Sequence, residues 1–487
     1  MIRSRTATLL AGLAVTATAL SGGAGGVLAQ SPAASGGAAV VGVPSVPTGY
    51  SDLDAALGAD KPYAGKKVTI QTQWIGGEGQ NFQDALAGFE AATGINVSVE
   101  ELSSGTHETL LDARIEGGLP LDLAQLAQPS KVLGYGKEGK LVDVATFMDP
   151  AKLKAEHPAT VGLYSDGDKV YGIPYKVDVK SVVWYPIKAF AAAGYEVPKT
   201  WDELIALSDK IVADGNGSPW CVAIEAGAAT GWIATDWLED VVLRTAGIDA
   251  YNKWISGDLK FDSPEIKAAM DKVGQILFTP GYVYGVTGGD TTYITATNQV
   301  QAMDPMFNED MAKPQCWMQK QATWYGPDFF PDVKAGGPGT VSKYVLGEDV
   351  GLFYFPPIDA AQGTPALGAG DGIIVIKPPD GSELRPEVKA VAEFLSTPQA
   401  TETWIKAGSA ISANQTTPAA WYGDNYKLKI ASDIVANATS FGFDASDLMP
   451  AVVGAGSEWT QLTNWIIADG KNTDDVLKAI DATWPAK

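Results

Sequence analysis

Polar and apolar residues alternate along residues 66–74 (KKVTIQTQW), with Val68 and Ile70 on one face, and this period of two predicts a strand. The period then changes. Over residues 80–92, Phe82, Leu86 and Phe89 fall on one side of a helix that Gly94 ends, and residues 95–101 return to a strand. Such a strand–helix–strand unit implies parallel pairing through a right-handed crossover. A second unit follows, with a helix near residues 106–116 and an apolar strand near 121–126. The first part of the chain therefore reads as α/β.

Farther on, helix starts are marked by their caps. Pro198 and the box Thr200-x-x-Glu203 precede Leu204, Leu207 and Ile211 at helical spacing. Ser263 and Pro264 open a second helix carrying Ile266, Met270, Val273 and Leu277, and Thr397-Pro398 opens a third in the same manner. Strand-like runs recur at residues 350–355 and 372–377, and no repeat of fixed period is present. The N-terminus is of another kind. Arg3 and Arg5 precede an apolar run over residues 7–20, and Val27-Leu28-Ala29 forms a small-residue cleavage site, so residues 1–29 are expected to be a secretion signal. The run is shorter than the roughly twenty residues of a membrane span. No Cys follows it, so no lipid anchor is expected. Residues 30–50, rich in Ala, Gly, Ser and Pro, are expected to be a disordered lead-in.

A length of 487 residues exceeds one ordinary core and points to two lobes. With 57 acidic against 35 basic side chains, a net charge of −22 disfavours nucleic acid and anionic membrane surfaces as partners. Removing the signal takes away only two basic residues, so the acidity belongs to the mature chain. Two His, and no Cys/His cluster at zinc spacing, give no basis for a transition metal, and neither metal nor cofactor is expected. The only two cysteines, Cys221 and Cys316, are an even number in an exported chain and are expected to form a disulfide. The 14 Trp equal the 14 Phe in number, an excess that asks for a use.

Several stretches resemble one family. They are Trp74-Ile-Gly-Gly-Glu-Gly-Gln-Asn-Phe82, Phe89-Glu-Ala-Ala-Thr-Gly-Ile-Asn-Val97, Val170-Tyr-Gly-Ile-Pro-Tyr175, Pro198-Lys-Thr-Trp-Asp-Glu-Leu204 and the tail Ile466-Ile-Ala-Asp-Gly-Lys-Asn-Thr-Asp-Asp-Val-Leu477. Together they resemble the bacterial extracellular solute-binding proteins, family 1, relatives of the maltose-binding protein that deliver sugars to ABC importers. Pro219-Trp-Cys221, Ala228-Ala-Thr-Gly-Trp232 and Cys316-Trp-Met318 resemble its α-glucoside-binding subgroup. The resemblance implies a two-lobe periplasmic-binding-protein fold of class II type, α/β, with a ligand cleft between lobes and a hinge of about three chain crossings. By that analogy lobe 1 holds residues 51–177 and 366–396, and lobe 2 holds 178–365 and 397–487. It further implies a monomer outside the cytoplasm, whose partners are a small sugar or oligosaccharide and the transmembrane subunits of an importer.

A sugar offers hydroxyls at its edge and C–H patches on its faces, so its site needs aromatic planes beside hydrogen-bonding side chains. Ligands in open α/β sheets meet the carboxyl ends of strands. Trp74 ends such a strand, and the turn with Gly77 and Glu78 follows it. Glu78 matches a sugar-binding carboxylate of the family, though a helix-capping role remains open. Gln128 follows the strand at 121–126. Lys176, Asp178 and Lys180 alternate along one face, which must be solvated or line a polar cleft; a surface ion-pair ladder is the other reading. Trp232 and Asp236 share a helical face by their spacing of four, while Trp237 is equally suited to the core. Asp371, in Gly368-Ala-Gly-Asp-Gly372, resembles a family loop near the ligand, with a plain turn as the alternative, and Trp459 stands near an aromatic cleft position. After Ala302-Met303 the chain reads Asp304-Pro-Met-Phe-Asn-Glu, where relatives supply Gly and Trp, so that wall of the cleft departs from the pattern.

Two other functions fit the same composition. A secreted glycoside hydrolase would need a spaced pair of carboxylates, and no catalytic motif surrounds any acidic residue here. A receptor for a non-sugar solute such as a polyamine would suit the acidity.

Overall fold

The computed structural model describes residues 42–307, 313–326 and 344–486. The signal expected at 1–29 and residues 30–41 of the lead-in lie outside these. Residues 42–50, expected to be disordered, are instead held in place. The Gly42 N–H donates to Glu402 at 3.0 Å, and Thr48 donates to Asp54 Oδ1 at 2.7 Å from both its N–H and its hydroxyl. Tyr50 is buried and donates its hydroxyl to Glu156 at 2.6 Å. Composition gives no sign of this, because Glu402, Asp54 and Glu156, which hold the segment, lie outside it.

Two sheets organise the rest. The larger runs in the order Ile411–Ser412, Gly172–Val179, Ala366–Val375, Leu123–Leu126, Lys67–Thr72, Asn96–Glu101, with Phe441–Phe443 added beside Ala366–Val375. The expected crossover unit is present, since Lys67–Thr72 pairs in parallel with both Asn96–Glu101 and Leu123–Leu126. Ala366–Val375 runs antiparallel to Leu123–Leu126 and Gly172–Val179, in register Ile373↔Gln125 and Ala369↔Asp178, and parallel to Phe441–Phe443. Its alternation covers both faces: Ile373 and Val375 join Val68, Ile70, Phe82, Leu86 and Phe89 on one side, and Ile374 and Ile376 join Leu111, Leu126 and Tyr164 on the other. Each fully buried side chain of this kind contributes about 1.5–3 kcal/mol. The smaller sheet, Val350–Tyr354, Val182–Pro186, Cys316–Lys320 and Ser218–Trp220, anchors a separate aromatic core containing Trp220, Trp237 and Trp254.

Helix starts follow their caps. Thr200 accepts from the Glu203 N–H at 3.2 Å at the head of Trp201–Ala213, and Ser263 accepts from Ile266 at the head of Pro264–Leu277. The third differs: after Thr397 the chain makes a 3₁₀ turn, Pro398–Thr401, then a short helix, Glu402–Lys406. Ala400, Trp404 and Ala410 there pack into the first core, although the sequence reading put them in the second lobe. Cap signals locate a helix but carry no information about which core receives it.

The chain leaves the first sheet at Lys180 and Ser181 and returns to it at Ala366. These two crossings are tied together: the Lys180 N–H donates to Leu367 O at 2.8 Å, and the Leu367 N–H to Ser181 Oγ at 2.8 Å. Ser181 in turn donates to Asp240 Oδ1 at 2.7 Å. Cys221 and Cys316 are joined in a disulfide beside the smaller sheet. No helix among the described residues is long and apolar enough to cross a membrane.

Candidate functional site

Between elements of the first core and elements of the second, the described residues line a cavity of about 240 Å³. The first side supplies Trp74, Glu78, Gln128, Lys176, Asp178 and Asp371, and the second Lys180, Trp232, Trp324, Asp444, Asp447 and Trp459. Of the ten ligand-site residues read from sequence, Gly77 and Asp236 are absent from this lining.

Gly77 is displaced because the helix starts earlier than its apolar pattern indicates. It spans Gly77–Thr93, with Gly76 at φ 59° before it, so the glycines read as a loop lie in the first turn. Glu78, in that turn, does face the cavity. Asp371 lies within the strand Ala366–Val375, paired with Lys176 just before a bulge after which Gly372 pairs with Pro174, and not in a turn.

Lys176 is the electrostatic centre of this wall. Its Nζ lies 2.9 Å from Asp178, 3.0 Å from Asp371 and 3.5 Å from Glu78, and all four residues are buried. Burial alone would lower the ammonium pKa, but Asp178, Asp371 and Glu78 reverse that and hold it well above the ordinary lysine value. Asp371 also accepts from Gln125 Nε2 at 2.7 Å and from the Trp74 indole at 3.4 Å. Trp74 itself was expected to stack on a sugar. Its ring is instead enclosed by Phe82 at 4.9 Å, Tyr175 at 5.2 Å and Trp404 at 4.9 Å, and it is 1% exposed. It therefore presents only an edge to the cavity and acts as the core support of Asp371.

The facing wall is built around Lys180. Its Nζ lies 2.6 Å from Asp236 and 2.5 Å from Asp444, with Glu239 close by; carboxylate oxygens of the three acids come within 4.8 Å of one another. Asp236 thus stands behind Lys180, one layer from the cavity. Burial pushes its carboxyl up to about 6 against the pull of Lys180. Burial, with Asp444 adding to it, pushes Glu239, Asp447 and Glu458 well above the carboxylate range, whereas Lys180 overcomes burial at Asp444 and holds it below. Trp232 is half-buried, 5.2 Å from Lys180 Nζ and 6.2 Å from Trp324. Trp237, left open by the sequence, is core, edge-on to Trp220 at 5.2 Å. Trp459 donates to Ser446 Oγ at 3.2 Å and packs on Ala226 and Ala229.

Sequence reasoning missed Trp324, Asp444, Asp447, Glu108 and Gln299. Trp324 follows the strand Cys316–Lys320, so the strand-end rule that found Gln128 also applies to it. Near Asp304, where the sequence departs from the family pattern, Met303, Met306 and Phe307 are buried in the core, while Trp324 lines the cavity. Asp444 and Asp447 sit in a local cap, Asp444 accepting from the Asp447 N–H at 2.9 Å, which gives no hint of their partner Lys180 far away in the chain. Three buried side-chain acceptors on lining residues, Oε1 of Glu108, Gln128 and Gln299, have no hydrogen-bond partner. Buried acceptors are rarely left so, and hydroxyl donors would satisfy them.

The family model described as bacterial extracellular solute-binding protein matches residues 74–402. The chain is 33% identical over 429 residues to the alpha-glucosides-binding periplasmic protein AglE of Rhizobium meliloti (strain 1021), covering 86% of this chain and 87% of the relative. It is also 33% identical to the osmoprotective compounds-binding protein GgtB of Synechocystis sp. (strain ATCC 27184 / PCC 6803 / Kazusa), covering 86% and 93%. Among solved structures, the bacterial solute receptor AcbH is similar in fold, with a TM-score of 0.69 at 17% identity over 86% of this chain and 98% of that one.

Proposed function

The chain belongs to the bacterial extracellular solute-binding proteins, and from that premise we propose that it is the receptor of a carbohydrate ABC importer that takes an α-glucoside into the cavity between its sheets. The family consists of binding proteins, not enzymes, so the cavity carboxylates serve recognition. The observation that carries the sugar reading is the set of unpartnered acceptors on Glu108, Gln128 and Gln299 around a cavity that also holds Trp232 and Trp324. Hydroxyls answer the acceptors and a pyranose face answers the indoles. The name of the relative AglE supports the glucoside class.

Ligand contact falls to Glu78, Gln128, Lys176, Asp178, Asp371, Trp232 and Trp459 from the sequence reading, with Trp324 added. Lobe 1 comprises residues 51–179 and 366–412 and lobe 2 most of the remainder, hinged at Lys180–Ser181 and its partner crossings. Ligand touching both lobes favours the closed state, which the importer's transmembrane subunits then engage. The protein works as a monomer outside the cytoplasm after loss of residues 1–29.

Calorimetry of the purified mature chain against α-glucosides, other saccharides and polyamines tests this. Binding of an α-glucoside that is recovered chemically intact is expected. Binding of polyamines alone, or recovery of cleaved sugar, overturns it.

A further inference from the structure

Beside the cavity the two sides meet backbone to backbone. Gly105, in the first turn of the helix Ser104–Gly117, touches the turn Gly227–Ala229. A Cβ built on Gly105 would lie 2.4 Å from both Ala226 O and Ala228 N, and 2.8 Å from the Gly227 Cα. No side chain fits there without moving one side away from the other. Glycine is a poor helix former, so local structure gives no reason for it; the close approach does.

The opposing turn is braced. Glu225 accepts from the Gly227 N–H at 2.7 Å and from Asn298 Nδ2 at 2.9 Å, and Thr230 Oγ1 donates to Gly227 O at 2.7 Å. Its far side packs on Trp459. The turn therefore cannot yield to an added methyl group cheaply. Ser104 and Gly227, on either side of the contact, both line the cavity, so the contact walls it off at that edge. The cavity volume of about 240 Å³ is below the roughly 300–1,000 Å³ of pockets that take drug-sized molecules.

Resting on the sugar-receptor reading, we propose that Gly105 and Gly227 form a size gate: their contact seals the closed cleft around one or two sugar rings and selects short glycosides against longer chains. Gly105 is thus a specificity-determining residue that need not touch the sugar. A side chain there holds the cleft ajar, which weakens short ligands that need full closure and spares longer ones that never allow it.

The test is calorimetry of the full mature chain and of Gly105→Ala and Gly105→Val with methyl α-glucoside, an α-linked disaccharide and the matching tetrasaccharide. Small-angle scattering with and without disaccharide reads closure. The wild type is expected to bind the disaccharide at least tenfold more tightly than the tetrasaccharide. Gly105→Val is expected to lose at least tenfold for the disaccharide and less than threefold for the tetrasaccharide, with the ligand-induced compaction reduced and the ligand-free melting temperature unchanged. If Gly105→Val does not fold, Gly105→Ala, a better helix former carrying the same offending Cβ, decides. A wild type indifferent to chain length, or variants that keep its size preference, overturns the gate while leaving the receptor reading intact. Absence of binding to every saccharide overturns the receptor reading, and the gate with it.

Discussion

Lys176 and Asp371 are register partners on adjacent antiparallel strands, and Lys176 Nζ lies 3.0 Å from Asp371 Oδ2. Register partners on adjacent strands point to the same face of the sheet, so both side chains reach the same cavity wall. Removing the lysine would leave Asp178, Asp371 and Glu78 buried together without their cation. Lys176→Met is therefore expected to cost about 3–5 kcal/mol of stability, and Asp371→Asn clearly less, since Lys176 keeps two carboxylates. Urea unfolding at pH 7 checks this; equal midpoints for Lys176→Met and wild type would show that the group is not what holds the wall.

The two tryptophans first in line for sugar stacking should separate by experiment. Trp74→Ala opens a cavity inside an aromatic cluster and is expected to lower stability by about 3–5 kcal/mol. Trp232→Ala is expected to leave the melting temperature within a few degrees and weaken α-glucoside binding by at least about 1 kcal/mol. Unfolding and calorimetry on both variants distinguish the roles, and unchanged affinity in Trp232→Ala removes it from the site.

Acidification should stabilise the protein through particular carboxyls. Burial pushes Glu393 up to about 8 against an ordinary value of 4.5, and its Oε2 accepts from the Leu53 N–H at 2.6 Å. Between those values the folded state holds a proton that the unfolded state has lost. The contribution is therefore complete below pH 4.5 and disappears as pH rises through 8. Asp236, pushed up to about 6, acts in the same direction over pH 3.8 to 6. Glu393→Gln keeps an acceptor for Leu53 and should be more stable than wild type at pH 8.5, with a flatter melting-temperature profile from pH 5 to 8.5. A mutant profile parallel to wild type would contradict the assignment.

The disulfide closes 95 positions of chain. Replacing Cys221 and Cys316 together by Ser is expected to cost about 2–5 kcal/mol, read as a lower denaturant midpoint, and reductant should shift the wild type the same way while leaving the double variant unmoved.

The α/β class, the opening crossover, the caps at Thr200 and Ser263 and the Cys221–Cys316 pair were all legible because each rests on a short spacing or a count. The strand-end rule also placed Gln128, and alternation placed Lys176 and Asp178 on one face. Less was legible where neighbours in space decide. Trp74 satisfied the strand-end rule and does line the cavity, yet Phe82, Tyr175 and Trp404 enclose its ring. Gly77 satisfied the loop pattern, yet the helix begins at Gly77 itself, directly after the turn made by Gly76. Asp236 shares a helical face with Trp232, yet Lys180 stands between it and the cavity.

Periodicity and caps report interactions over a few residues, so they determined element types, strand ends and candidate polar faces. The pairing of Lys180 with Asp444 spans 264 positions, that of Trp74 with Asp371 spans 297, and the contact of Gly105 with the turn at Gly227 joins two different sides of a cleft. Such contacts leave no local signature, because each residue satisfies its own element's pattern equally well without its partner. Which tryptophan ring lies open to the cavity, which carboxylate a lysine neutralises and why a helix keeps a glycine in its first turn were decided only by the tertiary packing around the cavity.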